Sequence, residues 1–402
     1  MPKYPRVRPS DIRGYSRLTV DAIIGLTDLV ETMHHNITCV PGVPGTATQV
    51  RTTGITGLVY QIIRGVTRLV GGGIDAVLAQ LVPLLGNGPS SAQREAVLAA
   101  LNGVLGDHLA ASGNPLTIPM RLCYDGRPLE LTRQALAAAI LKPSGKILLL
   151  VHGLCMNNLQ WRRNGHDHGA ALAKAAGFTQ VYLHYNSGLH ISTNGRAFAA
   201  LIEHLLQVWP VPVDELVIIG HSMGGLVARS ACHYSKVAGD VWLRYLRKIV
   251  FLGTPHHGAR LARGGNWVGV ILDVSPYTSA FARLGKIRSS GITDLHYGSL
   301  QDEDWQYRDR FARSTDIRRD VPLPDGVQCY AIGGSIAKRA SALSEQLLGD
   351  GLVPLRSALG QHADPIRNLS FPESHQWIGY GMNHMDLLDR REVYEQILQW
   401  LS

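Results

Sequence analysis

The 402-residue chain is poor in most of the features that announce a specialised protein class. Its five cysteines, Cys39, Cys123, Cys155, Cys232 and Cys329, form no C-x-x-C pair and no dense, evenly spaced set. A disulfide scaffold and a thiolate zinc site are therefore not signalled, and reduced thiols in a cytoplasm are expected. The first 20 residues lack a continuous apolar segment of the secretory kind, and no 18-residue stretch is apolar enough to span a bilayer. A phosphate-binding G-K-[ST] loop is absent, and Gly71-Gly72-Gly73 follows no strand-like run. There is no internal repeat. Charged residues make up only 17% of the chain, against 45% apolar, which excludes a disordered polyelectrolyte and leaves material for a sizeable core.

The net charge is +8, spread along the chain without a long block of one sign. It identifies no nucleic-acid partner. The densest basic stretch is the N-terminus, with Lys3, Arg6, Arg8, Arg13 and Arg17 against Asp11, where peripheral contact with anionic lipid stays open beside a simple solvated tail. Oligomeric state is not legible.

Hydrophobic spacing divides the chain into a helical N-terminal region, residues 1–115, and an α/β domain, residues 116–402. Ile23, Ile24, Leu26, Leu29 and Val30, then Val59, Ile62, Ile63, Val66, Leu69 and Val70, recur at helical intervals, and Ser91 with Glu95 opens a further helix through Leu98, Leu101 and Leu105. From residue 117 the pattern changes. A hairpin with its turn at Asp125-Gly126 is followed by short apolar runs, Lys146 to Val151, Val181 to Leu183, Leu216 to Ile219, Ile249 to Leu252, Val327 to Ile332 and Gln376 to Tyr380. Helical patterns separate them, so a mostly parallel sheet covered on both faces is expected. The alternation lapses over about 259–325, a length that suggests a lid or cap insertion; its apolar half includes Trp267.

The strongest chemical signal is Gly220-His221-Ser222-Met223-Gly224-Gly225, directly after the Leu216 to Ile219 run and directly before a helical pattern. A serine on a sharp strand-to-helix turn needs small residues on either side, and Gly220 and Gly224 supply the clearance. Such a turn lifts the hydroxyl out of the sheet and puts the Met223 N–H at a helix start, where donors favour a developing negative charge. A serine hydroxyl also needs a base and a group that holds the base. Asp350, in a Gly-flanked turn after one strand, and His384, after the next, give the order Ser, Asp, His and would meet Ser222 at the carboxyl edge of the sheet. Asp364, Asp316 and Asp320 compete less well with Asp350, and His221 is expected to pack under the turn. A turn at Gly153 would aim the Leu154 N–H at Ser222, completing an oxyanion pair with Met223. His256 and His257 follow a floor strand and are either substrate contacts or structural, and Trp267 is a further candidate contact. Cys155 reads as a packed thiol, and His166-Asp167-His168 as unsuited to a metal. The chemistry requires no cofactor and no metal.

Taken together, Val151-His152-Gly153-Leu154, the Gly220 to Gly225 elbow, Leu252-Gly253-Thr254-Pro255-His256-His257-Gly258, Asp350-Gly351 and His384 resemble the α/β-hydrolase lipases and esterases, in particular bacterial proteins similar to the hydrolase domain of GPI inositol-deacylase. The resemblance covers about residues 117–402. It implies an α/β-hydrolase fold with Ser222 as nucleophile, Asp350 as orienting acid, His384 as base and Leu154 and Met223 as oxyanion donors. A small-molecule or lipid ester, hydrolysed through an acyl-enzyme, is the expected substrate. Acyl transfer on the same residues, or a membrane-associated scaffold carrying a relic hydrolase domain, are the alternatives.

Overall fold

The computed structural model describes residues 8–38, isolated helical positions between 61 and 75, and residues 92–259, 289–306, 318–338 and 349–402. By internal contacts the chain forms two compact units, one of residues 1–94 with 109–117 and one of residues 95–108 with 118–402.

The first unit is built on α1 (Pro9–Thr38) and is tied by ion pairs. Arg94 clamps the buried Asp11 carboxylate with both Nε and Nη2, at 2.6 and 2.5 Å, the fork-to-carboxylate geometry that makes such pairs strong. Asp75 takes both Arg13 and Arg17, which lowers its carboxyl below the ordinary range, the Arg13 hydrogen bond acting most. Asn114 donates to the Gly14 carbonyl at 3.1 Å.

The second unit is an eight-stranded sheet in the order β2-β1-β4-β3-β5-β6-β7-β8. The last of the early helices, α2 (Ala92–Ala111), supplies residues 95–108 to it. The opening hairpin is β1 (Arg121–Tyr124) and β2 (Arg127–Pro128), joined by Asp125 and Gly126. Both turn residues have positive φ, 47° and 72°, as a two-residue turn matched to strand twist requires. A short helix the apolar pattern did not reveal, α3 (Arg133–Ala139), follows, its N-terminus capped by Thr132. Then β3 (Lys146–Val151), α4 (His168–Ala176), β4 (Thr179–His184), α5 (Ile191–Val208), β5 (Glu215–His221), α6 (Met223–Ala238) and β6 (Leu246–Leu252) alternate. After α7 (Ser290–Tyr297) come β7 (Gln328–Ser335), α8 (Leu355–Ala358), β8 (Gln376–Tyr380) and α9 (Arg391–Leu401).

Strands β3 to β8 pair in parallel, and only β1 runs antiparallel to its neighbours. Buried residues alternate between two cores. Ile147, Leu149, Leu216, Ile218, Ile249 and Phe251 point to one, and Leu148, Leu150, Val217, Ile219, Val250 and Leu252 to the other. That two-sided burial is why these strands read as unbroken apolar runs. The topology is that of an α/β-hydrolase fold, with β5 central and its carboxyl end running straight into α6. Trp267 and most of the expected lid lie outside the described residues. Among the described residues no helix is long and apolar enough to cross a membrane.

Candidate active site

Ser222 stands between β5 and α6 with φ 53° and ψ −124°, a conformation costly for any residue with a side chain. The backbone folds back so tightly that a Cβ on Gly220 would lie 2.6 Å from Gly225 Cα, and one on Gly224 would overlap the carbonyl oxygens of Val151 and His152. The sequence places glycine at the positions where these two close approaches occur. The Ser222 N–H donates to the Leu252 carbonyl at 2.8 Å, anchoring the turn to the end of β6. Met223 is the first residue of α6, so its N–H has no intrahelical acceptor.

Asp350 and His384 meet directly, with Nδ1 of the imidazole 2.6 Å from one carboxylate oxygen. The other oxygen accepts the N–H groups of Leu352 and Val353 at 3.0 and 2.8 Å, so the carboxylate is held at both ends. Gly351, with φ 94°, lets the chain turn back to make those bonds. Both members of the pair are buried. Because a carboxylate only accepts, Nδ1 donates in this bond, and Nε2 is the ring nitrogen that Asp350 leaves free of its hold.

His221 links this pair to the elbow. Its Nε2 lies 3.2 Å from the His384 carbonyl and the two rings are 4.6 Å apart. The carbonyl accepts, so Nε2 of His221 is protonated and Nδ1, buried without a partner, is bare. Burial holds this imidazole well below its ordinary pKa, with repulsion from His384 adding to the effect. A Cβ on Gly253 would sit 3.0 Å from Cε1 and Nδ1 of His384, so the residue after β6 must be small for the imidazole to stand there. The ends of β5 and β6 thus border both the serine and the histidine.

On the other side, a Cβ on Gly153 would lie 3.0 Å from Ser222 Cβ, which brings the Gly153-Leu154 turn against the serine. The Leu154 N–H has no acceptor among the described residues. The next residue, Cys155, has φ 58° and donates its N–H to Ser187 Oγ at 3.0 Å. His152 is fully buried and stacks on Tyr185 at 4.4 Å. Its Nδ1 donates to the Gly153 carbonyl at 2.9 Å, and burial pushes its pKa down to about 3. It is a neutral brace for the turn.

Ser187, Asn186 and Tyr185 went unnoticed in the sequence. The signal available was their place just after β4, at the carboxyl edge where sites gather. Asn186 accepts the Gly188 N–H and donates to Gly106 O at 2.9 Å, and a Cβ on Gly103 would overlap Cys155 Sγ. Residues 95–108 of α2 therefore pack directly behind the Leu154-Cys155 turn.

The remaining expectations fall out as follows. His256 and His257 line a separate cavity with Arg229; His257 Nε2 also donates to Gly360 O at 3.0 Å. Asp364 caps an exposed turn by accepting the Ile366 N–H, and Asp320 faces Arg367 at 3.9 Å. Asp316 lies outside the described residues. Cys155 is buried, and burial pushes its thiol up to about 12. His166 and His168 contact each other at 2.8 Å, and His168 continues to the Leu387 carbonyl at 3.1 Å. Among the described residues no group of acidic, histidine and cysteine side chains is arranged to hold a metal ion.

A family model described as a domain of unknown function (DUF7379) matches residues 113–295. No curated protein matches the chain. Similar solved structures include the lipase BlEst2 of Bacillus licheniformis in its mature form, 17% identical, covering 71% of this chain and 98% of that one with a TM-score of 0.43. The esterase Pf2001 of Pyrococcus furiosus is 13% identical, covering 64% and 80% with a TM-score of 0.38. An esterase of Pyrobaculum calidifontis is 13% identical, covering 64% and 74% with a TM-score of 0.37.

Proposed function

We propose that the protein is a serine hydrolase of carboxylic esters, with Ser222 as nucleophile, His384 as base, Asp350 as the group that orients it, and the N–H groups of Leu154 and Met223 as oxyanion donors. The observation that carries this reading is the buried 2.6 Å bond from His384 Nδ1 to Asp350, made beside a serine held in a strained strand-to-helix turn. In the proposed reaction Ser222 Oγ attacks the ester carbonyl as His384 Nε2 takes its proton. The carbonyl oxygen becomes an oxyanion facing the two backbone donors. The intermediate collapses when the alkoxide leaves with the proton from His384, and water, activated by the same imidazole, then releases the acid. Each oxyanion donor is expected to be worth about 3 kcal/mol in the transition state. The apolar stretch around Trp267 supports a hydrophobic acyl group, and the resemblance to the inositol-deacylase domain supports a lipid ester.

The test is labelling with a fluorophosphonate beside turnover of p-nitrophenyl esters of increasing chain length. The wild type is expected to be labelled and active, with medium or long chains favoured over acetate, and Ser222→Ala to show neither property. Labelling of both proteins removes Ser222 as the nucleophile, and a preference for acetate alone removes the hydrophobic substrate.

A further inference from the structure

Among the described residues, four that are not glycine have positive φ: Asp125, Cys155, Asn164 and Ser222. Asp125 and Asn164 are of the types that tolerate the left-handed region, and each is exposed and followed by a glycine. Cys155 and Ser222 are buried or half-buried, and both stand at the candidate site. Strain of this kind persists only where the surroundings over-determine it. Something must therefore hold Cys155 at φ 58°.

The turn it occupies runs from Gly153 to Met156, closed by the Met156 N–H on the Gly153 carbonyl at 3.4 Å. A positive φ at the third residue is the type II arrangement, ordinarily given to glycine. The Cys155 side chain does little to fix it, since Sγ is a weak donor 3.8 Å from the Ala100 carbonyl. The backbone does more. Its N–H donates to Ser187 Oγ at 3.0 Å, with both residues buried. That N–H belongs to the peptide joining Leu154 to Cys155, the one whose rotation turns a type II turn into type I and lets the third φ become negative. The Ser187 hydroxyl thus locks the peptide orientation that the strain opposes.

Ser187 itself has a rigid support. Before it, Asn186 donates from Nδ2 to Gly106 O on α2 at 2.9 Å, and the Asn186 carbonyl accepts Asn194 Nδ2 on α5 at 3.0 Å. After it, the Gly188 carbonyl accepts the Gly291 N–H on α7 at 3.0 Å. Methyl groups on Gly188 and Gly291 would overlap the carbonyls of Asn102 and Ser187. With three helices fixing its loop, Ser187 cannot follow the turn if the turn relaxes.

We propose that Ser187 is a positioning residue for the oxyanion pair, its hydroxyl oxygen holding the Gly153 to Met156 turn in the strained form that presents the Leu154 N–H to Ser222. The inference rests on the reading of Ser222 as nucleophile and of Leu154 as oxyanion donor. Removing Oγ strands the Cys155 N–H in the interior without an acceptor, a cost added to the strain. Rotating the Leu154–Cys155 peptide relieves both and carries the Leu154 backbone with it. Ester binding is left as it was, because the donors act on the charge that develops in the transition state.

The test compares Ser187→Ala and Ser187→Cys with the wild type in turnover of p-nitrophenyl esters and in the rate of fluorophosphonate labelling, which draws on the same donors without needing a particular acyl chain. Both variants are expected to lose roughly tenfold in kcat, the worth of one hydrogen bond, with KM unchanged and labelling slowed alike. Ser187→Cys keeps the side chain's size but replaces a good acceptor with a weak one, and it carries the test should Ser187→Ala not fold. Cys155→Gly takes the positive φ freely, so adding Ser187→Cys in that background is expected to lower kcat by a clearly smaller factor. Wild-type kcat and labelling in Ser187→Cys, a rise in KM alone, or an equal loss in the Cys155→Gly background overturns the proposal. Turnover and labelling that persist in Ser222→Ala overturn the ester-hydrolase reading and this inference with it, whereas their loss there beside wild-type kinetics in the Ser187 variants overturns this inference alone.

Discussion

One oxygen of Asp350 takes two backbone N–H groups and the other takes His384 Nδ1. Replacing Asp350 with Asn keeps the backbone bonds but presents an amide N–H to the imidazole, which then protonates on the wrong nitrogen. The expected result is a fall in kcat of about 10³ to 10⁴-fold with little change in Tm, read by ester turnover and melting. His221→Phe removes the donor to the His384 carbonyl while keeping a ring of similar size. It is expected to lower kcat more than it raises KM, because the imidazole loses its backbone anchor and ester binding does not. Cys155, two residues after Gly153, looks reactive by position and is inert by environment. With burial raising its thiol to about 12, almost no thiolate exists at pH 8, and only the thiolate alkylates. Iodoacetamide at pH 8 is expected to leave Cys155 unmodified in the native protein and to modify it after unfolding in urea, as mass spectrometry of the peptides will show.

At the scale of elements, the elbow and the helix behind the Leu154 turn are set by the room a Cβ needs. A methyl on Gly224 runs into two backbone carbonyls of β3 and its loop, atoms that cannot step aside, so Gly224→Ala is expected to cost several kcal/mol by overpacking and strain. A melting curve with a large drop in Tm, or loss of soluble protein, is the outcome to look for. Gly103→Ala acts differently, because its methyl meets the side chain and backbone of Cys155. The turn carrying the Leu154 N–H must move, so activity is expected to fall about tenfold or more while the far strands keep their hydrogen-exchange protection. An unchanged kcat in Gly103→Ala would show that the turn does not shape the oxyanion pair. At this scale the sequence spoke clearly wherever one period dominated. The run Lys146 to Val151 coincides with β3, since a strand buried on both faces leaves no polar interruption, and Gln376 to Tyr380 coincides with β8, a half-buried strand at the edge of the sheet. The short helix Arg133–Ala139 buries only Leu136, too little apolar surface to mark a face.

For the molecule as a whole, acid stability is governed by imidazoles enclosed in the second unit. Burial pushes His152 and His184 down to about 3 and His168 to about 4, whereas in the unfolded chain they titrate near 6.5. The unfolded state therefore binds more protons as the pH falls below about 6.5, and stability rises with pH across that window. The contribution is fully present above about 6.5 and is lost as the pH falls towards 4 and 3. Each tenfold difference in proton affinity corresponds to about 1.4 kcal/mol, so the combined effect is a large share of a normal domain's stability. Thermal unfolding between pH 8 and pH 4 is expected to show Tm nearly constant at the upper end and falling steeply below about 6. A Tm independent of pH down to 4 would mean that these imidazoles are protonated in the folded protein.

Local sequence determined the strands, the elbow and the identities of its glycines, because periodicity and close backbone approach act between residues near in the chain. It also ordered Ser222, Asp350 and His384 as the fold family does. What it did not determine was which groups touch. The pairing of His384 with Asp350, the hold of His221 on the His384 carbonyl, the packing of Gly103 against Cys155 and the meeting of Arg229 with His256 join residues 27 to 163 positions apart or lying on different elements. Such contacts depend on the sheet order and on how each loop leaves it, and no local pattern encodes either. That is why Ser187 and Arg229 were silent as sequence and became informative only once folded.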